Sequence, residues 1–268
     1  MPEGHTIHRG ARDLGRVLVG STIDVTSPQG RFADGAAVLD GRECLLVEAY
    51  GKHLLAEFSD DAFLHVHLGL FGRIRKHKVP ANVPKGAVRV RMVSSTHVVD
   101  INGPTICEVL DSGGVADLTS RIGPDLIRAD ADPERTFRRI SKSRAPIGKL
   151  LMDQSVVAGI GNIYRTEILW RQSIHPDTIG RAITRGQFDD LWQDARALLA
   201  IGVKKNAIIT VDEPSMPAPK TRLPKRERLN IFNKKTCPRC THEIDALSIS
   251  GRRAFVCSTC QPIVKADP

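Results

Sequence analysis

The sequence predicts an α+β, multi-domain fold, and three observations carry that expectation. An amphipathic helical stretch opens the chain, and short strand-like runs separated by Gly and Pro fill residues 21 to 106. Helical periodicity takes over after residue 133, and the chain closes on two tight cysteine pairs. The 268 residues suffice for one large domain or two ordinary ones. Hydrophobic residues make up 41% but aromatics only 4%, so the core must be built mainly of Val, Leu, Ile and Ala. The net charge of +9 favours a polyanion partner, most often nucleic acid, although a basic solvated surface gives the same total. No apolar run reaches the ~18–20 residues of a membrane span. The N-terminus lacks a signal-peptide apolar region, so no membrane association and a cytoplasmic, nucleoid-associated location are expected.

In the opening helix Ile7, Ala11, Leu14 and Val17 or Leu18 recur at helical spacing, ending at Gly20. Ahead of it stands Met1-Pro2-Glu3-Gly4. Removal of Met1 leaves the amine of Pro2 beside the Glu3 carboxylate. An α-amino group has a pKa near ~8 against ~10.4 for lysine, so more of it is unprotonated at neutral pH. Such an amine can attack a carbonyl-like carbon by the logic of Schiff-base lysines. An ordinary chain start reads the same way.

Strands are expected at 21–26, 44–50, 53–58, 62–67, 88–93 and 97–101. Val88, Val90 and Met92 alternate with Arg89 and Arg91, a half-buried strand with a basic outer face. Regular short strands of this kind suggest a sandwich or a barrel. Gly51-Lys52-His53 marks a tight turn whose lysine could reach a phosphate or stay solvated. His65 and His67 share one side of a strand, a spacing that could bind metal, but no nearby carboxylate or cysteine completes such a site. A phosphate or structural role suits His67 better. Gly69-Leu70-Phe71-Gly72, followed by Arg73, Arg75, Lys76 and Lys78, could wedge into a base stack or turn inward to the core. Cys44 and Cys107 read as buried free thiols.

Residues 111–133 are rich in breakers and place a domain boundary. Helices are expected at 133–142, 146–154, 165–171 and 187–199. Gly159-Ile160-Gly161-Asn162 joins two of them. Its glycines permit close backbone approach, and free helix N–H groups can hold a phosphate, with Asn162 supplementing them. The Pro-rich basic stretch from Lys204 to Lys235 reads as a mobile loop or linker. The closing motif is Cys237-x2-Cys240-x16-Cys257-x2-Cys260, the spacing of a structural zinc ribbon. A hairpin around Ser250-Gly251-Arg252 would carry Arg252 at its tip.

The order of these motifs resembles the formamidopyrimidine-DNA glycosylase / endonuclease VIII family over nearly the whole chain, residues 2 to about 261. The resemblance implies an N-terminal β-sandwich flanked by helices, a helix–two-turn–helix domain and a zinc-finger β-hairpin, at 1–120, 121–228 and 229–268. It implies a monomer acting on damaged double-stranded DNA with one structural Zn2+ on Cys237, Cys240, Cys257 and Cys260. Pro2 would be the nucleophile and Glu3 the proton donor and acceptor. Lys52, Asn162 and Arg252 would hold phosphates around a flipped nucleotide, with His67 and Arg253 also on the DNA, and Leu70 and Phe71 would fill the gap. Pro-Glu-Gly and the Leu-Phe pair look like the endonuclease VIII branch, whose members prefer oxidised pyrimidines. Two departures stand out: Thr6 replaces a common glutamate, and Phe232 lacks the hydroxyl of the family tyrosine. A purine-directed enzyme, a non-catalytic lesion-binding protein and a zinc-ribbon component of a ribonucleoprotein are the alternatives.

Overall fold

The computed structural model describes residues 2–212, 224 and 227–263. The chain divides into two compact units, Met1–Arg121 and Ile122–Pro268.

The first unit runs α1 (Gly4–Leu18), β1 (Thr22–Thr26), α2 (Ala33–Leu39), β2 (Arg42–Tyr50), β3 (His53–Phe58), β4 (Ala62–His67), β5 (Arg73–Lys78), β6 (Val88–Val93), β7 (His97–Asn102), β8 (Ile106–Leu110) and α3 (Ser112–Ser120). Its strands form one continuous ladder in the order β5-β7-β6-β1-β2-β3-β4-β8. Strand β1 changes partner midway: Thr22 and Ile23 pair with β2, while Asp24 to Thr26 pair with β6. A strand that switches sheets in this way makes the corner of a sandwich. Val25, Val90, Met92 and Ile101 from one half and Val47, Leu54, Leu64 and Val66 from the other share a single core. Ile7, Ala11, Leu14 and Leu18 of α1 join it, so the expected apolar stripe is the buried one.

Four elements differ from expectation. Strand β5 was hidden because Arg73-Ile-Arg-Lys-His-Lys has almost no apolar alternation; it is an exposed edge strand whose register comes from β7. Strand β8 follows Pro104 closely, and α2 and α3 are short. Helix α3 lies inside the stretch read as breakers, held by Asp111, whose carboxylate accepts the N–H of Gly114. Cys44 is buried, but Cys107 is only half-buried.

The second unit contains α4 (Pro133–Ser141), α5 (Ile147–Leu150), α6 (Asn162–Arg171), α7 (Arg185–Lys205) and a hairpin of β9 (Asp245–Ile249) and β10 (Arg252–Val256). Helix α5 is shorter than the periodicity suggested. Helix α7 is longer, because Thr184 and Gln187 form a reciprocal capping box and Asn206 closes it in the left-handed conformation. The main core of this unit gathers Ile147, Val157, Tyr164, Ile168, Phe188, Leu191 and Leu199. A small satellite core joins Trp170, Ile231 and Phe255 to Cys237 and Cys257. Much of the Pro-rich basic stretch, residues 213–223, 225 and 226, lies outside the described residues. Among the described residues no helix is long and apolar enough to cross a membrane.

Candidate active site and metal centre

Each unit carries its own group of candidate residues. In the first, α1 packs against β2 and β3 and so anchors the chain start. Pro2 is half-buried and Glu3 is 0% exposed. Glu3 is the cap residue of α1, and its carbonyl accepts the N–H of Thr6 at 2.9 Å, but its carboxylate makes no cap hydrogen bond. The positive end of the helix favours an anion there. His5, one residue into the helix, has its pKa pushed down to about 4, by burial first and the N-terminal charge second.

Lys52 sits in the two-residue turn between β2 and β3, where Tyr50 pairs with His53. Gly51 takes φ +58°, the left-handed start that a hairpin turn of the II′ kind requires. Across the ladder His53 faces His67. The Gly69 N–H donates to His67 Nδ1 at 3.2 Å, which leaves the proton on Nε2. Thr105 Oγ1 lies 3.0 Å from the same nitrogen. Burial first, then Lys52 and His65, hold the His67 pKa below its usual value. A neutral Nε2–H beside a lysine is a suitable donor for a phosphate or sugar oxygen.

The turn after His67 does not face the core. Gly69 has φ +64°, and a Cβ there would lie 2.4 Å from Thr105. A Cβ on Gly72 would lie 2.3 Å from the Leu68 carbonyl. The glycines therefore close a tight turn that buries Leu68 and leaves Leu70 51% and Phe71 85% exposed. Two further expectations need correction. Arg91 is not part of a free basic face, because Asp100 takes it bidentately at 2.7 Å. A carboxylate does stand at the histidine pair: Glu108, from β8, lies 2.8 Å from His65 Nδ1. It could not be seen in the sequence because β8 was not, and it serves as a hydrogen-bond partner.

In the second unit Gly159 has φ +93° and Gly161 caps α6. Gln154, which the sequence reading missed, clamps this turn: it accepts the Gly159 N–H and donates to the Ile160 carbonyl. Asn162 opens α6 and donates to the Arg253 carbonyl at 3.0 Å. Its Oδ1 accepts from Arg165, a guanidinium buried to 0% exposure, which also donates to that carbonyl at 3.3 Å. The helix start and the hairpin are thus tied together. Turn residues Ser250 and Gly251 have φ +51° and +71°, the two left-handed positions of a type I′ turn. Arg252 opens β10 rather than occupying the tip, and pairs with Ile249. Arg252 and Arg253 are both exposed on opposite faces of the strand.

Behind the hairpin lies a second residue the sequence did not reveal. Glu167 is fully buried in α6 and accepts the backbone N–H groups of Asn230, Ile231 and Phe232 at 2.7, 2.9 and 2.7 Å. Phe232 lacks a hydroxyl, and its ring instead meets Phe255 edge-on at 5.1 Å. No periodicity marks Glu167, since its partners lie 43 to 65 residues away.

The four ribbon cysteines bring their Sγ atoms within 4.8 Å of one another. Cys237 and Cys260 are 3.8 Å apart, and Cys240 and Cys257 are 3.4 Å apart. Four thiolates at ~2.3 Å from a tetrahedral zinc are separated by about 3.8 Å, so the cluster fits such an ion. The Cys240 thiol is pulled down to about 6, chiefly by the backbone N–H of His242, whereas Cys260 is pushed up to about 12 by burial and the neighbouring thiols. A cation removes that conflict, because it lets all four ionise together.

Comparison with known proteins agrees with this arrangement. Residues 1–104 match the formamidopyrimidine-DNA glycosylase N-terminal domain, and residues 122–213 match the formamidopyrimidine-DNA glycosylase H2TH domain. Fold and site therefore define a DNA glycosylase, an enzyme class that also carries abasic-site lyase activity here. Endonuclease 8 1 of Mycobacterium tuberculosis is 43% identical over 267 residues, covering 97% of this chain and all of that protein. The formamidopyrimidine-DNA glycosylase of Chloroflexus aurantiacus is 28% identical over 277 residues, covering 97% and 98%. Among solved structures, the Lactococcus lactis formamidopyrimidine-DNA glycosylase bound to DNA containing N7-benzyl-Fapy-dG has the same fold, with a TM-score of 0.81, 24% identity and coverage of 97% and 100%. The chain belongs to the formamidopyrimidine-DNA glycosylase / endonuclease VIII family of base excision repair.

Proposed function

We propose that this enzyme removes an oxidised pyrimidine from double-stranded DNA and then cuts the strand by β,δ-elimination. The observation that carries the reading is the chain start: a fully buried Glu3 carboxylate at the positive end of α1, next to Pro2. The target base leaves the stack before its sugar can be reached, at a cost of a few kcal/mol that a lesion with weakened pairing lowers. The Pro2 amine, exposed by loss of Met1, attacks C1′ and the base departs. Glu3 moves protons at the opened sugar. The iminium acidifies the 2′ proton, and elimination follows. Lys52 and Arg252, with His67, Asn162 and Arg253, hold phosphates and sugar; Leu70 and Phe71 enter the gap.

Zinc on Cys237, Cys240, Cys257 and Cys260 supports the hairpin that carries Arg252. With four thiolates it has no open position, so its contribution is structural. The kinship to endonuclease 8 1 at 43% identity favours pyrimidine lesions. A purine-directed reading has the more distant formamidopyrimidine-DNA glycosylases on its side. Borohydride trapping on duplexes with an oxidised pyrimidine, 8-oxoguanine or an abasic site tests both. A covalent adduct mapped to Pro2, formed fastest on the pyrimidine lesion, is expected. No adduct on any duplex, from protein shown by mass spectrometry to lack Met1, overturns the mechanism and leaves a non-catalytic lesion-binding protein.

A further inference from the structure

The face of β3, β4 and β8 turned away from the main core carries three imidazoles, and two of them, His53 and His65, have no task in the steps above. Side chains alternate along a strand, so His53, His65, His67 and Glu108 share this face, while Leu54, Leu64, Val66 and Val109 point to the core. The ladder sets His65 opposite Glu108 and His53 opposite His67. His53 Nδ1 lies 2.9 Å from His65 Nε2, and His65 Nδ1 lies 2.8 Å from Glu108 Oε1. The rings of His53 and His65 stack, with centroids 5.1 Å apart at 25°. His65 is buried, whereas the Glu108 side chain is 51% exposed.

These contacts determine where the protons sit. A carboxylate only accepts, so His65 must donate from Nδ1. In a neutral His65 ring Nε2 is then the acceptor, and His53 donates to it from Nδ1. The Nε2 of His53 is left as a proton acceptor next to the Lys52 turn. We propose that His53, His65 and Glu108 form a proton wire from that turn to solvent, which carries away the proton lost from C2′ when the strand is cut. This rests on the function proposed above. In the step, the C2′–H bond breaks and its electron pair forms the C2′–C3′ double bond. The C3′–O bond leaves with the phosphate. His53 Nε2 takes the proton while its Nδ1 proton passes to His65 Nε2. The His65 Nδ1 proton passes in turn to Glu108 and from there to water. The pass leaves His53 and His65 each with the proton on Nε2, so both rings turn, or the protons return, before the next cleavage.

The surroundings suit conduction rather than storage. Charged or titratable groups on this face are Lys52 and Glu57 of the β2–β3 hairpin, His67 of β4, Glu108 of β8, and Glu48 and Tyr50 of β2; α1 packs on the other side. Burial first, then His65, His67 and Lys52, push the His53 pKa down to about 3. An imidazolium there is short-lived, so a proton that arrives moves on. His53 would be the catalytic residue, with His65 and Glu108 as positioning residues that act through it.

Two measurements test the wire. In the native protein, nitrogen-15 NMR should find both His53 and His65 with their proton on Nδ1. Glu108→Gln keeps an acceptor oxygen for His65 but cannot take a proton. It should slow cleavage of an abasic duplex about 10-fold to 100-fold, the lower range for a positioned acid–base group. Borohydride trapping should fall much less, and the alkaline limb of the cleavage profile should shift. Glu108→Leu should in addition redistribute the His53 tautomers. Finding the native His53 proton on Nε2 overturns the wire, as does Glu108→Gln cleaving at native rates wherever the native enzyme works. Native protein that shows the expected tautomers yet neither traps nor cleaves overturns the functional reading beneath it, and the NMR result tells the two failures apart.

Discussion

The sandwich and the cysteine hairpin are held together by different physics. The sandwich closes over one large apolar core that α1, α2 and both halves of the ladder share. Burial of about 25 cal/mol per Å2 of apolar surface sustains it without help. The hairpin has six buried members in its core, two of them cysteines. So small a core rarely sustains itself, and structural metals commonly supply the missing stability. The comparison teaches where each unit is vulnerable. The chemistry proposed at the chain start would fail through the loss of one group on a sound scaffold, whereas the Arg252 hairpin would fail through the loss of its scaffold.

The sharpest contrast should come from Glu3→Gln. It is close in shape, so the sandwich should melt as before. Strand cleavage should fall about 100-fold to 10,000-fold, the span of a positioned general acid–base group. Cleavage near the native rate would remove Glu3 from the chemistry. Glu167→Ala comes next, and should act on the hairpin unit alone. Each backbone N–H of 230–232 left unpaired costs about 1–3 kcal/mol. Hydrogen exchange should rise over 229–256 and stay unchanged over 4–67; uniform exchange would mean that the units unfold together.

Zinc removal sharpens the comparison further. Chelation should loosen β9 and β10 and weaken DNA binding through Arg252 and Arg253, while the far-ultraviolet signal of the sandwich persists. Unchanged affinity after verified metal loss would refute the hairpin's part in binding. Acid should act in the opposite sense, on the sandwich. His5 and His53 have folded pKa values lowered to about 4 and about 3, from 6.5. Both are neutral in the folded chain and take up protons in the unfolded one. Their stabilisation is therefore present above pH 6.5 and is lost as the pH falls below it, at about 1.4 kcal/mol per pH unit for each. His5→Asn should flatten the slope of unfolding free energy between pH 6.5 and about 4. The smallest effect on stability belongs to Phe71→Ser, at 85% exposure: no measurable change in melting, but weaker binding to a duplex with a gap in its stack.

Reading the chain without its structure reached much of this because the signals are local. The Ile7–Leu18 stripe is a helix wherever it is placed. Strands β2, β3 and β4 announce themselves as short apolar runs between turns, and β6 by its apolar alternation. The two Cys-x2-Cys pairs announce a four-cysteine cluster by spacing alone, whereas the direction of the Leu70-Phe71 tip was open until the structure showed it exposed. What the chain alone concealed is whatever depends on a partner far along it. Strand β5 has no apolar pattern and exists because β7 offers a ladder. Glu108 gains its meaning only when β8 lies beside β4, forty-three residues after His65. Arg165 and Glu167 look like surface charges on a helix until the Arg253 carbonyl meets the first and residues 230–232 and Thr210 meet the second. Periodicity and spacing record what a residue does with its near neighbours. Burial of a charge and the tautomer of an imidazole are set by groups that only the folded backbone brings within 3 Å.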